Sequence, residues 1–165
     1  RYRAIFDEPR RIPDAVCRSA ASMYLAFEKQ SRMGFAARRL NRAHLRERND
    51  DAVADLAIGL ESLLAPENAP EIGYRVRMRF GTLARLTSAT SPAEAAKRAQ
   101  RLYDMRSRIV HGDQIPDDEL AAAAADGKAL LRMALDGLTR RPDLLTQGVL
   151  DAALLSGHER TVSSG

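Results

Sequence analysis

The chain has 165 residues and a formal net charge of +4, the length of one domain and enough to bury a sizeable core. Its single cysteine, Cys17, excludes an internal disulfide framework and suits a reducing cytosol. No apolar run approaches the roughly 18 residues of a spanning helix, and His44, His111 and His158 are too scattered for a zinc pattern, so neither a membrane nor a cofactor is expected.

Residues 1–12 are polar and basic. Pro9 and Pro13 act as breakers, and the chain starts at Arg1, so this stretch reads as a linker from a missing upstream region. From Pro13 the pattern is helical, with Val16, Ala20, Met23, Tyr24 and Phe27 at spacings of three and four. Gly34 is expected to interrupt or bend this run. Phe35, Leu40 and Leu45 continue it among Arg38, Arg39, Arg42, Arg46 and Arg48. Such a tract is either a solvated helix face or an electrostatic track for a phosphate backbone.

Asn49, Asp50 and Asp51 offer caps for the next helix, whose positive end favours acids. Its buried face is predicted to be Val53, Leu56, Ala57, Leu60, Leu63 and Leu64. Asp55 and Glu61 lie on this apolar helix, where one of them could meet an arginine inside the bundle. Glu61, one turn before Leu64, is the preferred partner for Arg106, as an orienting group rather than a base. Residues 65–70 form a loop with two prolines. Ile72, Val76, Phe80, Leu83 and Leu86 then mark another helix, decorated by Arg75, Arg77, Arg79 and Arg85.

Ser91-Pro92-Ala93-Glu94 has the form of a capping box: a serine cap, proline at the first helical position, and a glutamate to reach back. It opens a helix running through Ala95, Ala99, Leu102 and Ile109 to His111. Leu102, Tyr103, Ile109 and Val110 should be its buried stripe. Arg106 falls within that stripe, and a buried arginine needs a partner or a job. His111 precedes Gly112, which can adopt the left-handed cap conformation. Five residues at about 100° each place His111 roughly 140° around the axis from Arg106, so one rigid helix does not bring them to one face.

After the turn at Gly112 to Pro116, three acids, Asp117, Asp118 and Glu119, open a helix with Leu120, Ala124, Leu130, Leu131, Ala134 and Leu138 on its apolar face. Alanines 121–125 favour helix and close packing; Gly127 is expected to bend it. Pro142 begins a last helix through Leu145, Val149, Leu150 and Leu154. Residues 156–165, with His158, read as a flexible tail. No alternating strand pattern, phosphate-binding loop or nucleophile elbow is present. The expected fold is therefore all-α, a helical bundle with an aliphatic core.

Charge is uneven along the chain. Residues 1–108 carry 21 Lys and Arg against 13 Asp and Glu, whereas residues 109–165 carry 5 against 9. Of the 26 basic residues 23 are Arg. A GC-rich genome produces such a bias, and the guanidinium fork also matches phosphate.

The segment Arg101-Leu-Tyr-Asp-Met-Arg106-Ser-Arg-Ile-Val-His111-Gly112 resembles the Arg-x4-His segment of HEPN domains, closest to the Apea-like branch. Asp51-Ala-Val-Ala-Asp55-Leu-Ala-Ile-Gly-Leu-Glu61-Ser-Leu-Leu resembles the helix that precedes the motif in that branch. The matching region runs from about Phe27 to Asp113. The resemblance implies a HEPN-like bundle of four core helices plus flanking helices over residues 13–155. It also implies a homodimer, and a metal-independent endoribonuclease acting in prokaryotic defence or stress, for instance against phage. Arg106 and His111 would be catalytic, with Ser107, Arg108, Glu61 and Arg79 supporting or contacting phosphate. Ser107 stands where catalytic members often carry Asn, Asp or His. Asp113 stands where a toxin subgroup has a modified tyrosine. The alternative is a non-catalytic module that binds RNA or a nucleotide, or that dimerises a larger cytoplasmic protein.

Overall fold

Apolar residues three and four apart give seven α-helices and no strand among the described residues. The computed structural model describes residues 13–29, 31–65, 71–146 and 148–159. The helices are α1 (Asp14–Lys29), α2 (Ser31–Leu45), α3 (Asn49–Leu64), α4 (Ile72–Thr87), α5 (Pro92–Val110), α6 (Asp117–Arg140) and α7 (Val149–Glu159), with a short 3-10 turn at Pro142–Leu145. The expected linker at 1–12, most of the proline loop (66–70) and residues 160–165 lie outside the described residues, as do the side chains of Met23 and His158.

Helix α3 is the centre of the bundle. Val53, Leu56, Ala57, Leu60, Leu63 and Leu64 are all buried, as their spacing predicts. Around it pack α2, α6, α5 and α4, while α4 and α5 form a hairpin of their own. Fully burying one leucine of this set stabilises the fold by roughly 1.5–3 kcal/mol. Small residues set how closely the helices approach. A Cβ on Gly127 would lie 3.0 Å from both Leu56 Cδ1 and Leu102 Cδ1, so this glycine lets α6 settle against α3 and α5. Helix α6 runs through it as one element, and the expected bend is not a break.

Several local expectations are corrected. The break in the first helical run falls between α1 and α2, before Gly34. Gly34 is buried inside α2, where a Cβ would sit 3.0 Å from the Phe27 carbonyl oxygen. Ser91 occupies the cap position of α5 and Pro92 follows it, but the serine side chain makes no capping hydrogen bond. Glu94 instead meets Arg101 at 3.2 Å. Arg48, not Asn49, is the cap residue of α3, and Asp50 accepts the Asp51 backbone N–H at 2.9 Å. The stretch from Pro142 divides at Gly148, whose φ of 84° separates the 3-10 turn from α7. Ile72 is exposed rather than core.

The end of the bundle that carries the motif follows from the hairpin. Gly73 near the start of α4 faces Tyr103 of α5, since a Cβ there would lie 3.1 Å from Tyr103 Cδ1. Seven residues further along α5 is a rise of about 10 Å, which takes Val110 past the first turn of α4. Val110 is accordingly 67% exposed, against the expectation that it belongs to the buried stripe. Met105 is buried in that stripe together with Leu102, while Tyr103 and Ile109 are partly buried against the core.

Candidate functional site

Two carboxylates on α3 answer two sets of arginines. Asp55 is buried and accepts hydrogen bonds from Arg39 Nη1 at 2.6 Å and Arg46 Nε at 2.9 Å, both from the arginine-rich side of the chain. Burial pushes the Asp55 carboxyl up, but these two bonds outweigh it and hold the group below the usual carboxylate range. Glu61, nearly two turns on, faces Arg106 instead, with Oε1 3.9 Å from Nη1.

Arg106 is neither sealed in the core nor fully solvated, its side chain keeping 39% of its accessible surface. Three residues before it on α5 lies Tyr103, so the two share a side of the helix. The Tyr103 hydroxyl is buried and has no hydrogen-bond partner. Burial first, and then the Glu61 carboxylate, push this phenol well above its ordinary value, so it keeps its proton as a potential donor.

The helix end is built as the sequence predicts. Gly112 takes φ 78°. Its N–H donates to the Ile109 carbonyl at 3.1 Å, and the Asp113 N–H donates to the Arg108 carbonyl at 3.0 Å. This is the Schellman arrangement, which satisfies carbonyls that a helix otherwise leaves open. His111 is the cap residue, its N–H donating to the Ser107 carbonyl at 3.0 Å, and it is exposed. Ser107 is exposed as well.

Other expected members are engaged elsewhere. Arg108 Nη1 donates to Glu119 in the first turn of α6, and its Nε lies 3.6 Å from Asp113 Oδ2. Arg79 does not join Arg106. It is buried, donates Nε to Asp151 Oδ1 at 2.7 Å, places Nη2 on Asp151 Oδ2, and donates Nη1 to the Leu64 carbonyl at 3.0 Å. With its donors spent on α7 and on the end of α3, it is a fastening rather than a phosphate contact. The spacing signalled this: Arg79 lies three residues after Val76 and four before Leu83, within the apolar face of α4.

The structure thus brings together Arg106, Glu61 and the unforeseen Tyr103, with Ser107 and His111 on the same helix end. Arg108 is tied to acids beside them. Among the described residues no group of three or more His, Cys, Asp or Glu is placed to hold a metal ion, and no helix is long and apolar enough to cross a membrane. No protein-family model, curated protein or solved structure matches the chain.

Proposed function

We propose that the chain is a HEPN-type, metal-independent endoribonuclease, with α3, α4, α5 and α6 as its four core helices and a site completed by a second copy. The observation that carries this is the state of Arg106: a permanently charged guanidinium, half-exposed, faced by the Glu61 carboxylate, five residues before an exposed histidine at a firmly capped helix end. RNA brings its own nucleophile. In the reaction the 2′-oxygen forms a bond to phosphorus and the bond from phosphorus to the 5′-oxygen breaks. The products are a 2′,3′-cyclic phosphate and a 5′-hydroxyl. His111 takes the proton from the 2′-hydroxyl or delivers one to the 5′-oxygen, because an imidazole can act as either general base or general acid. Arg106 neutralises the charge that builds on the phosphate.

The roughly 140° between the two side chains around α5 gives the second copy its role, since the Arg106 of one protomer can meet the partner's His111. The exposed Val110, next to His111 in sequence and past the first turn of α4, supplies apolar surface for such a pairing. The test is RNA cleavage by the purified chain in EDTA. Cleavage that disappears with Arg106→Ala and with His111→Ala, with far-UV dichroism unchanged, supports the assignment. A His111→Ala protein that cuts as fast as the parent overturns it.

A further inference from the structure

The buried carboxylate of Asp55 is held at bonding distance by its two arginines, 2.6 and 2.9 Å away, whereas surface contacts such as Arg46–Asp51 at 4.0 Å and Arg108–Asp113 at 3.6 Å stay longer. Arg106 and Glu61 stop at 3.9 Å, beyond the 2.7–2.9 Å typical of a charge-assisted hydrogen bond. The pair attracts but is not latched. Beside it, the Tyr103 hydroxyl is buried with its donor unused, a state proteins seldom tolerate without a reason. Its ring is held against the backbone of Gly73, where even a methyl group would crowd it at 3.1 Å. The acceptor that acts on this phenol is again Glu61. One carboxylate on α3 therefore acts on two donors of α5 three residues apart, facing Arg106 at 3.9 Å and adding to burial in raising the Tyr103 phenol without closing a hydrogen bond to it.

We infer that Tyr103 and Glu61 are positioning residues that hand Arg106 over to a phosphate: Glu61 faces the guanidinium in the free protein, and the Tyr103 hydroxyl takes over that carboxylate when an anion draws Arg106 outward. This rests on the reading of Arg106 as the phosphate-binding group. Without Tyr103, departure of Arg106 strands a carboxylate that is three-quarters buried. With it, the carboxylate keeps a hydrogen bond throughout, and the phenol's orphaned donor is the vacancy that makes the exchange possible.

The experiment is a titration of the full chain with inorganic phosphate, following the Arg106 Nε–Hε resonance in arginine-labelled protein, assigned by its loss in Arg106→Lys. Phosphate should move this resonance saturably. Tyr103→Phe should weaken binding about fivefold, the equivalent of one ordinary hydrogen bond. In a Glu61→Gln background the same change should cost less than about twofold, because no charged carboxylate is left to receive. Glu61→Gln alone should tighten binding, and it carries the test if Tyr103→Phe does not fold. A Tyr103→Phe protein that binds like the parent, an equal loss in both backgrounds, or a resonance that ignores phosphate overturns the handover. RNA cleavage measured on the same samples separates the two ideas. A parent that binds phosphate through Arg106 but cuts nothing sinks the nuclease and leaves the handover standing. A parent that cuts RNA with no Tyr103 effect on phosphate sinks the handover alone.

Discussion

Asp151 receives two nitrogens of Arg79, so the last helix is fastened to α4 by an ion pair whose arginine is nine-tenths buried while its carboxylate is 43% exposed. The asymmetry decides which partner can be lost. Asp151→Ala leaves a guanidinium without its counter-charge in an apolar setting, and should destabilise by about 2–3 kcal/mol. Arg79→Met fills the same space and leaves Asp151 to be hydrated, so its cost should be nearer about 1 kcal/mol. Urea unfolding midpoints of the two variants, compared at equal slope, check the order.

The pH dependence of stability should come from Asp50, Asp55 and Asp151, of which Asp55 is the most buried. Its folded-state pKa is depressed, so its contribution is complete above the unfolded value near about 4 and is lost as pH falls through the folded value. Asp151, lowered chiefly by its bond from Arg79, acts with the same sign. Asp50, beside the Arg48 guanidinium, is held at about 2. Stability should be level from neutral pH to about 5 and fall steeply below about 4. Asp55→Asn should be less stable at neutral pH by about 1–2 kcal/mol and have a shallower acid limb. Urea midpoints at three pH values measure both.

Gly112 has open space around the position of a Cβ, so an alanine there meets no neighbour. What it meets is its own backbone, at φ 78°. Gly112→Ala should therefore cost about 1–2 kcal/mol and loosen the final turn of α5. On the proposed nuclease reading, RNA cleavage should fall with it, more than the loss of folded protein explains. Thermal melting and a cleavage assay well below the melting temperature separate the two effects.

On the proposed nuclease reading, Arg106→Ala and His111→Ala should each be inactive alone and restore one another on mixing. If every site takes its arginine from one protomer and its histidine from the partner, only mixed dimers hold a complete site, and only one each. A refolded equal mixture should recover about a quarter of the parent activity. Recovery absent from a mixture shown to contain heterodimers would place both groups of a site on one chain.

Much of the helix pattern was legible because single residues carried strong constraints. Gly112 announced a left-handed cap, and the α3 face from Val53 to Leu64 announced the centre of the bundle. Of the two acids on that face the spacing singles out one, Glu61 for preference, as an arginine partner; Asp55, the other, has the closer arginines. What could not be read depended on where one helix ends against another. Val110 repeats the period of the buried stripe, but α4 covers α5 only as far back as its own first turn. Ser91 sits where a cap belongs, while Glu94 finds Arg101 before it can close a box. Arg79 shares the apolar spacing of α4, but the carboxylate that claims it cannot be read from the sequence because Asp151 lies 72 positions away. Tyr103 read simply as an aromatic in an apolar row, because the fate of a hydroxyl is a tertiary matter.

The two hydrogen bonds that Asp55 draws from Arg39 and Arg46, together with the Arg48–Asp50 pair, bear on how nucleic acid would sense this protein. Cations already matched by fixed internal anions displace few counterions from a polyanion. The tract from Arg38 to Arg48 should then contribute a gentler dependence of RNA affinity on ionic strength than five arginines in a row of eleven residues suggest.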